Sequence, residues 1–411
     1  MKSIGEICTC LLLSCVFGLT IVSSAASPRG HWIGTWAASP APQATENGQI
    51  DARGTTYREI VHTSAGGGAI RVVLTNEFGL EPLTIGAARI AISEGGSTIE
   101  LPTSMILKFG DQPSVTLPAG TMMVSDPVEL NLPALANVAI SLFISAQQIR
   151  QASVHSYALQ TNYMEAGNVI AAETLPSSVK MPSWFFIKGL EVETDGENTA
   201  GGAVVTLGDS ITDGAASKPD MNERWSDVLA RRIQADKSLS GMGVLNAGIN
   251  GNRLLRDGNG DESALRRLDR DVIAQAGIKY LIVLEGINDI GHSVSATPSD
   301  LVVTEQSLIH ALDQIAVRAH AHGIKVIGAT ILPYENCKFA SPDGEKMREA
   351  INEWIRTTKN LDGVVDFEKI VRDPTHPTRI SSVYDSGDHL HPNSEGLRVM
   401  GEGIDLNLFR Q

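Results

Sequence analysis

The sequence is poor in cysteine, with four among its 411 residues. Three of them, Cys8, Cys10 and Cys15, lie in the apolar segment at the start of the chain, which leaves Cys337 alone in the remainder. One cysteine can form neither an internal disulfide nor a zinc site built from several thiolates. We therefore expect the folded part of the protein to be held together by its hydrophobic cores.

Basic residues are also scarce. Lysine and arginine together number 33, against 47 aspartates and glutamates, so the formal net charge is −14. A protein of this charge repels nucleic acid backbones and anionic lipids. We therefore expect neither nucleic acid nor a membrane surface as a partner, and the sequence does not indicate an oligomeric state.

Long apolar runs are missing except at the start of the chain. The run over 7–22 follows Lys2 and ends at the small residues Ser24, Ala25 and Ala26, a pattern that predicts a signal peptide over 1–26, cleaved after Ala26. The expected location is secreted or periplasmic. A transmembrane anchor is an alternative, although the run is short for a bilayer. Lipid attachment at Cys15 is a second alternative, because residues 12–15 loosely resemble a lipobox.

The chain changes character near residue 200. Before it, runs rich in Val, Ile, Leu and Thr are separated by glycine, proline and asparagine, with almost none of the helical period. Many short strands without intervening helices predict a β-sandwich. We expect a sandwich domain over 27–190 and a polar, glycine-containing linker over 191–202. The strands are expected at 57–64, 69–75, 83–93, 115–117 and 138–145.

From residue 203 onward, strand-like runs alternate with segments of helical spacing. This alternation predicts an α/β domain over 203–411, with helices on both faces of a doubly wound, flavodoxin-like parallel sheet. Ser394 is expected to cap the last helix. The five strands are expected at 203–207, 243–247, 280–284, 325–332 and 364–367.

Polar residues follow three of these strands and precede the last helix, in the segments 208–214, 246–252, 286–289 and 385–392. Ligands bind outside the carboxyl ends of the strands in such sheets, so the four segments should meet at one edge. Ser210, Asp388 and His391 are the residue types of a nucleophile, an orienting carboxylate and a general base. Amide donors for an oxyanion hole are available from the Ser210 and Gly248 backbone and from the Asn288 side chain.

These segments resemble the serine, glycine, asparagine and histidine blocks of the SGNH (GDSL-type) hydrolase family. The resemblance covers the second half of the chain. It implies that Ser210 is the nucleophile, that Gly248 and Asn288 complete the oxyanion hole, and that Asp388 orients the base His391. Ile211 departs from the leucine of the family name, and the loop after residue 250 is long. The first half is similar to the β-sandwich modules that precede some secreted members.

Some assignments within the site stay open. His389 competes with His391, and Asp385 competes with Asp388; the Asp-x-x-His spacing of the family favours Asp388 with His391. We expect Asn250 to be a candidate for the pocket wall. Asp209 and Asp289 are expected to form structural hydrogen bonds rather than to react, and the acidic loop 257–261 lacks the full pattern of a calcium site.

The predicted function is hydrolysis of a carboxylic ester through an acyl-enzyme, with no metal or organic cofactor. The expected substrate is a short acyl group, such as acetyl, on carbohydrate. Short lipid or aryl esters, including lysophospholipid-like substrates, are an alternative. A glycan-binding protein on an inactive hydrolase scaffold is another, and a peptidase is less favoured because nothing indicates an extended peptide groove. The role of the sandwich is not predicted.

Overall fold

The computed structural model of the protein describes residues 30–45, 53–194, 202–258, 261–293 and 303–410, so the predicted signal peptide lies outside the described residues. The first half is built mainly from β-strands. Its strands are β1 (His31–Ala37), β2 (Ala41–Ala44), β3 (Thr55–His62), β4 (Gly67–Asn76), β5 (Leu83–Gly95), β6 (Thr98–Ile99), β7 (Met105–Ile106), β8 (Val115–Leu117), β9 (Thr121–Val124), β10 (Val128–Leu132), β11 (Asn137–Ile144), β12 (Gln151–His155), β13 (Asn162–Ala166), β14 (Val179–Met181), β15 (Trp184–Phe185) and β16 (Ile187–Thr194).

Two antiparallel sheets of these strands enclose one apolar core, which confirms the predicted sandwich. One sheet has the order β1-β16-β4-β10, with β9 beside β4, and the other has the order β14-β13-β3-β11-β5-β6, with β7 and β8 beside β5. A small third sheet has the order β15-β12-β2. Alternate side chains of the strands point inward, because successive residues of a strand face opposite sides. The core includes Ile33, Ile70, Ile90, Leu142 and Leu190, all fully or almost fully buried.

The second half is an α/β fold around one parallel sheet, with a π-helical turn after α3 and a 3-10 turn near the C-terminus. The sheet order is β18-β17-β19-β20-β21, which is the predicted flavodoxin-like order. The elements are β17 (Ala203–Gly208), α1 (Ser210–Asp213), α2 (Trp225–Ala235), β18 (Gly243–Gly248), α3 (Ala264–Leu268), β19 (Ile278–Leu284), α4 (Ile287–Gly291), α5 (Glu305–Ala321), β20 (Lys325–Ala329), α6 (Pro342–Thr357), β21 (Gly363–Val365), α7 (Phe367–Val371) and α8 (Ser394–Glu402).

Helices cover both faces of this parallel sheet. Neighbouring residues of one strand enter different cores: Val204 packs with α2, α7 and α8, whereas Val205 packs with α3, α5 and α6. Both faces of the sheet are therefore buried, which explains why the sequence of each strand is a continuous run of apolar residues. This arrangement brings the loops after β17, β18 and β19 to one edge of the sheet.

The sandwich covers the edge strand β18 of the parallel sheet, and the described residues from His31 onward belong to one compact unit. The Gly34 N–H donates to the carbonyl of Ala276 at 2.9 Å, and the Val244 N–H donates to the Ser64 hydroxyl at 2.8 Å. A β-carbon on Gly243 would lie 1.9 Å from the Gly34 carbonyl oxygen, so the backbones touch. Contact with β1 therefore protects an edge that would otherwise be open to pairing.

Several element ends differ from the sequence prediction; in the parallel sheet, the fourth strand ends at Ala329 and the fifth at Val365. The first four residues of the predicted linker, 191–194, continue strand β16, and residues 195–201 lie outside the described residues. Strand β4 begins at Gly67, two residues before the predicted start, and Gly67 pairs with Leu132 of β10. The last helix is capped by Asn393 instead of Ser394, since the Asn393 side chain accepts a hydrogen bond from the Gly396 N–H.

Candidate active site

Ser210 lies where β17 turns sharply into the four-residue helix α1. The Asp209 carboxylate accepts a hydrogen bond from the Ile211 N–H at 2.9 Å and so caps the helix. Gly214, with φ +103°, ends the helix and returns its N–H to the Ser210 carbonyl at 3.0 Å. This conformation favours glycine. The tight turn fixes Ser210 at the carboxyl end of the sheet, as the sequence predicts.

His391 and Asp388 come to Ser210 from the loop before α8. The Ser210 Oγ lies 2.8 Å from His391 Nε2, and His391 Nδ1 lies 2.6 Å from Asp388 Oδ2. Burial alone would raise the pKa of Asp388, but hydrogen bonds from the His391 ring and from the His391 and Leu390 N–H groups lower it to about 2. An ionised Asp388 requires the ring proton on Nδ1, which leaves the Nε2 lone pair facing the serine hydroxyl.

The competing pair of the same loop lies apart from the serine hydroxyl. His389 Nδ1 lies 2.7 Å from Asp385 Oδ2. Asp385 also accepts hydrogen bonds from the N–H groups of Gly387 and His389, so it organises the loop. His389 has φ +62° and is 48% exposed. The structure therefore places the predicted pair, Asp388 and His391, on Ser210.

Asn288 lies beside Ser210 on α4, where the predicted oxyanion hole requires a donor. One N–H of its side-chain amide donates to the Asn252 carbonyl at 2.9 Å, which orients the group. The hydrogen bond to Asn252 uses one of the two N–H groups of the amide. Asn288 and Ser210 line the same pocket, together with Asn250, the predicted wall residue.

The structure contradicts the assignment of Gly248 to the oxyanion hole. The Gly248 N–H donates to the Asn246 Oδ1 at 2.8 Å, and Gly248 does not line the pocket. Glycine is needed there for packing, since a β-carbon would lie 2.3 Å from the backbone nitrogen of Asp213. Gly251, with φ +81°, lines the pocket instead. The Asn-Gly turn signal at 250–251 is the sequence feature that could have indicated it.

The pocket at this edge has a volume of about 530 Å³. Its apolar wall contains Cys337, Phe339 and Leu390, and Phe339 also packs against His292 with 5.6 Å between ring centroids. Besides Asp388, four exposed polar side chains stand around the pocket, where a substrate would meet them outside the serine: Asn250, Asn336, Lys338 and His389. The pocket thus combines a short apolar surface with a polar mouth.

Buried carboxyl groups lie beneath the pocket. Burial raises the pKa of Asp209 to about 7, and burial together with the Asp209 charge raises the pKa of Glu285 well above its usual value. Asp289 accepts hydrogen bonds from the Leu254 and Leu255 N–H groups at 2.6 and 3.1 Å, and burial raises its pKa. Asp209 and Asp289 therefore have the structural hydrogen bonds expected from the sequence.

Arg267 pairs with Asp271 at 3.3 Å and joins the strand ends, a role that the sequence did not reveal. Its fully buried guanidinium donates to the Gly208 and Ala247 carbonyls at 3.1 and 2.7 Å, and to the Asn252 side chain at 3.0 Å. Gly208 ends β17, Ala247 is the next-to-last residue of β18, and Asn252 follows Gly251. Arg267 sits inside an apolar helical stripe, so no spacing or motif distinguishes it.

Other titratable groups of the described residues form no metal centre. No cluster of three or more His, Cys, Asp or Glu suited to a metal ion occurs among them. His320 lies 2.7 Å from Asp362 on the protein surface. In the part of the chain that the structure describes, no helix is both long and apolar enough to cross a membrane.

The fold and the site together define an α/β hydrolase domain with a serine, a histidine and an aspartate at the carboxyl edge of its sheet. Residues 206–399 match the family model of the GDSL-like lipase/acylhydrolase family, and this part of the chain is a GDSL-like lipase/acylhydrolase domain. The predicted resemblance is thereby confirmed. The comparison with curated proteins gave no match.

Several solved structures are similar to about half of this chain. A catalytic mutant of Axe2, an acetylxylan esterase from Geobacillus stearothermophilus, is 20% identical over 51% of this chain and 94% of its own, with a TM-score of 0.41. A GDSL-like lipase from Bacteroides thetaiotaomicron is 20% identical over 51% and 88%, with a TM-score of 0.37. LAE5, an α/β hydrolase enzyme from the Lake Arreo metagenome, is 19% identical over 51% and 95%, with a TM-score of 0.39.

Proposed function

We propose that the protein is a serine esterase that hydrolyses carboxylic esters through an acyl-enzyme on Ser210. The observation that carries this proposal is the chain of two hydrogen bonds from Ser210 to His391 and from His391 to Asp388, at 2.8 and 2.6 Å. His391 Nε2 takes the hydroxyl proton as Ser210 Oγ attacks the ester carbonyl, and Asp388 stabilises the resulting imidazolium. The alcohol leaves with that proton, and water repeats the sequence to release the acid.

The oxyanion of each tetrahedral intermediate needs donors that are already in place. In this proposal they are the Ser210 N–H, the second N–H of the Asn288 amide and the Gly251 N–H. Gly251 replaces Gly248, whose N–H is used by Asn246. The hydrogen bond from Asn288 to the Asn252 carbonyl ties the second donor to the loop that carries the third.

The proposed substrate is a short acyl group, such as acetyl, on a hydroxyl of a carbohydrate. The apolar wall formed by Cys337, Phe339 and Leu390 is short and suits a small acyl chain. The polar mouth offers hydrogen-bonding partners to a hydroxylated alcohol, which a lipid chain would not use. Export is part of the proposal, because a polysaccharide substrate lies outside the cell and the sequence begins with a signal-like segment.

The test is acetate release from acetylated xylan and acetylated pectin, measured beside a chain-length series of nitrophenyl esters. Wild type is compared with Ser210→Ala and with Ser381→Ala, a half-buried serine outside the pocket. We expect acetate from polymer and a preference for acetyl over longer acyl chains, both lost in Ser210→Ala and retained in Ser381→Ala.

Two other outcomes would change the proposal. Activity on nitrophenyl esters without acetate from polymer would keep the esterase and replace the carbohydrate by a small aryl or lipid alcohol. Full activity of Ser210→Ala on every ester, or no activity of wild type on any of them, would contradict the serine esterase itself.

A further inference from the structure

Helix α1 connects the pocket with the sandwich. Its first residue lies at the pocket, and its last residue faces the sandwich. Ser210 is its first residue and Asp213 its last. The Asp213 side chain is 2% exposed, and its Oδ1 lies 3.1 Å from Nε2 of His155, at the end of sandwich strand β12. His155 is 6% exposed, and the Trp184 ring packs beside it with 5.5 Å between ring centroids. A buried imidazole of the first half thus meets the helix that carries the serine.

The hydrogen bonds of His155 require a proton on each ring nitrogen. Nδ1 lies 2.9 Å from the Ser39 carbonyl oxygen, which can only accept. Nε2 faces a carboxylate oxygen, which also accepts. Burial by itself lowers the pKa of His155, but the Asp213 charge and hydrogen bond and the Ser39 carbonyl raise it further than burial lowers it. The contacts therefore favour a doubly protonated His155 ring that donates to Asp213. Removing the imidazole leaves the buried Asp213 side chain without this partner.

A second connection joins the same residue to the sandwich. The Arg224 guanidinium donates to the Asp213 carbonyl at 2.7 Å and to the Ala158 carbonyl at 2.6 Å. Asp213 also packs on Gly248 so closely that no β-carbon fits between them. Asp213 is therefore held on three sides. Because α1 is only one turn long, a displacement of Asp213 is transmitted to Ser210.

We propose that His155, contributed by the β-sandwich, is a positioning residue for the Ser210 nucleophile and acts through Asp213 at the opposite end of α1. The inference rests on the proposed function and assigns the sandwich a part in the reaction. In this account the first half of the chain is a structural component of the catalytic unit. By holding Asp213 in place, the first half keeps the Ser210 hydroxyl 2.8 Å from His391 Nε2.

Two substitutions of His155 distinguish the effect of its hydrogen bond to Asp213 from the effect of its packing in the interface. In His155→Gln the terminal amide occupies the place of Nε2 and can still donate to Asp213. In His155→Asn the shorter amide occupies the place of Nδ1, so it reaches Ser39 and not Asp213. His62→Gln is the matched control, because His62 lines the same interface cavity and its ring hydrogen-bonds to Asn137.

Each full-length variant is compared with wild type by thermal unfolding, by kcat and KM on nitrophenyl acetate, and by the rate of Ser210 labelling with a fluorophosphonate. We expect His155→Asn to lower kcat and the labelling rate by about 10-fold to 100-fold, as a misplacement of up to 1 Å does, with little change in KM. His155→Gln should recover most of both rates, and His62→Gln should equal wild type.

Equal kcat and labelling rates in folded His155→Asn and His155→Gln would overturn the positioning role, as would an equal loss in His62→Gln. If neither His155 variant folds, Asp213→Asn is compared with Asp213→Ala, because the asparagine amide can still donate to a neutral His155 and alanine cannot. Labelling that is much slower in Asp213→Ala than in Asp213→Asn supports the role, and equal rates in the two variants contradict it. Ser210→Ala separates the two proposals. If Ser210→Ala is active, the proposed function is contradicted. If Ser210→Ala is inactive and His155→Asn is fully active, only the positioning role of His155 is contradicted.

Discussion

Two histidine–aspartate pairs occupy the same loop, and they differ in what the histidine faces. In both, Nδ1 lies on an aspartate, at 2.6 Å for His391 and 2.7 Å for His389. His391 directs Nε2 at the Ser210 hydroxyl, whereas His389, with its positive φ, stands half-exposed at the pocket mouth. A hydrogen bond from an imidazole to a carboxylate therefore does not by itself identify a general base. The feature that makes His391 a candidate base is the position of its Nε2 against the Ser210 hydroxyl.

The strongest test of this contrast is His391→Gln. Removing the base leaves the Ser210 hydroxyl without an acceptor for its proton, so we expect kcat on nitrophenyl acetate to fall by about 10⁴-fold or more. The measurement is the steady-state rate at substrate concentrations above KM, with Ser210→Ala as the baseline. A His391→Gln rate within tenfold of wild type would mean that another group takes the proton.

The next largest effect should distinguish the carboxylates of the two pairs by their influence on kcat. Asp388→Asn should lower kcat by about 10³-fold to 10⁴-fold, because the amide no longer fixes the ring proton on Nδ1. Since the hydrogen bonds to the ionised form lower the pKa of Asp388 to about 2, the carboxylate stays ionised at every ordinary assay pH, so its own titration should not change the kcat of wild type in that range. Asp385→Asn should keep kcat within about tenfold of wild type, since its loop hydrogen bonds can be kept. Similar losses in the two variants would erase the distinction.

A smaller effect is expected on the other wall of the pocket. Asn288→Ala removes one proposed oxyanion donor and should lower kcat by about 10²-fold to 10³-fold, with KM changed much less. The check is a separate determination of kcat and KM, with a thermal melt to show that loss of the hydrogen bond to Asn252 has not unfolded the loop. A rise in KM at unchanged kcat would assign Asn288 to substrate binding in general.

The smallest effect belongs to His389. Its side chain faces the mouth, so His389→Gln should change kcat/KM on nitrophenyl acetate by less than about threefold. A polymeric substrate reaches further out, and its KM should rise more than that of the small ester. The comparison of both substrates on one variant measures this. A large loss on the small ester would place His389 in the chemistry and end the contrast drawn above.

The sequence predicts those parts of the site that follow directly from strand ends and short spacings. Ser210 comes after a buried strand, and Asp388 and His391 are separated by a spacing that one loop can bring together. Gly248 was misassigned because the direction of a backbone N–H depends on the Asn246 side chain, which spacing does not reveal. The fold class follows from periodicity, which is why both halves were predicted correctly.

Long-range contacts account for what the sequence did not reveal. His155 contacts the end of helix α1, and Arg267 contacts the ends of two strands. Both come from other segments of the chain, and neither stands in a recognisable sequence pattern. A buried polar residue finds its partner only when the chain is folded. Such contacts lie between the two halves of the chain, so the role that we propose for the sandwich could be inferred only from the structure.

The central claim is that Ser210 is a nucleophile activated by His391. The most direct measurement is fluorophosphonate labelling of wild type and His391→Gln, followed by mass spectrometry of the peptides. The account predicts one adduct, on Ser210, that blocks ester hydrolysis in wild type and forms far more slowly in the variant. An adduct on another residue, or ester hydrolysis that continues with Ser210 fully labelled, would contradict it.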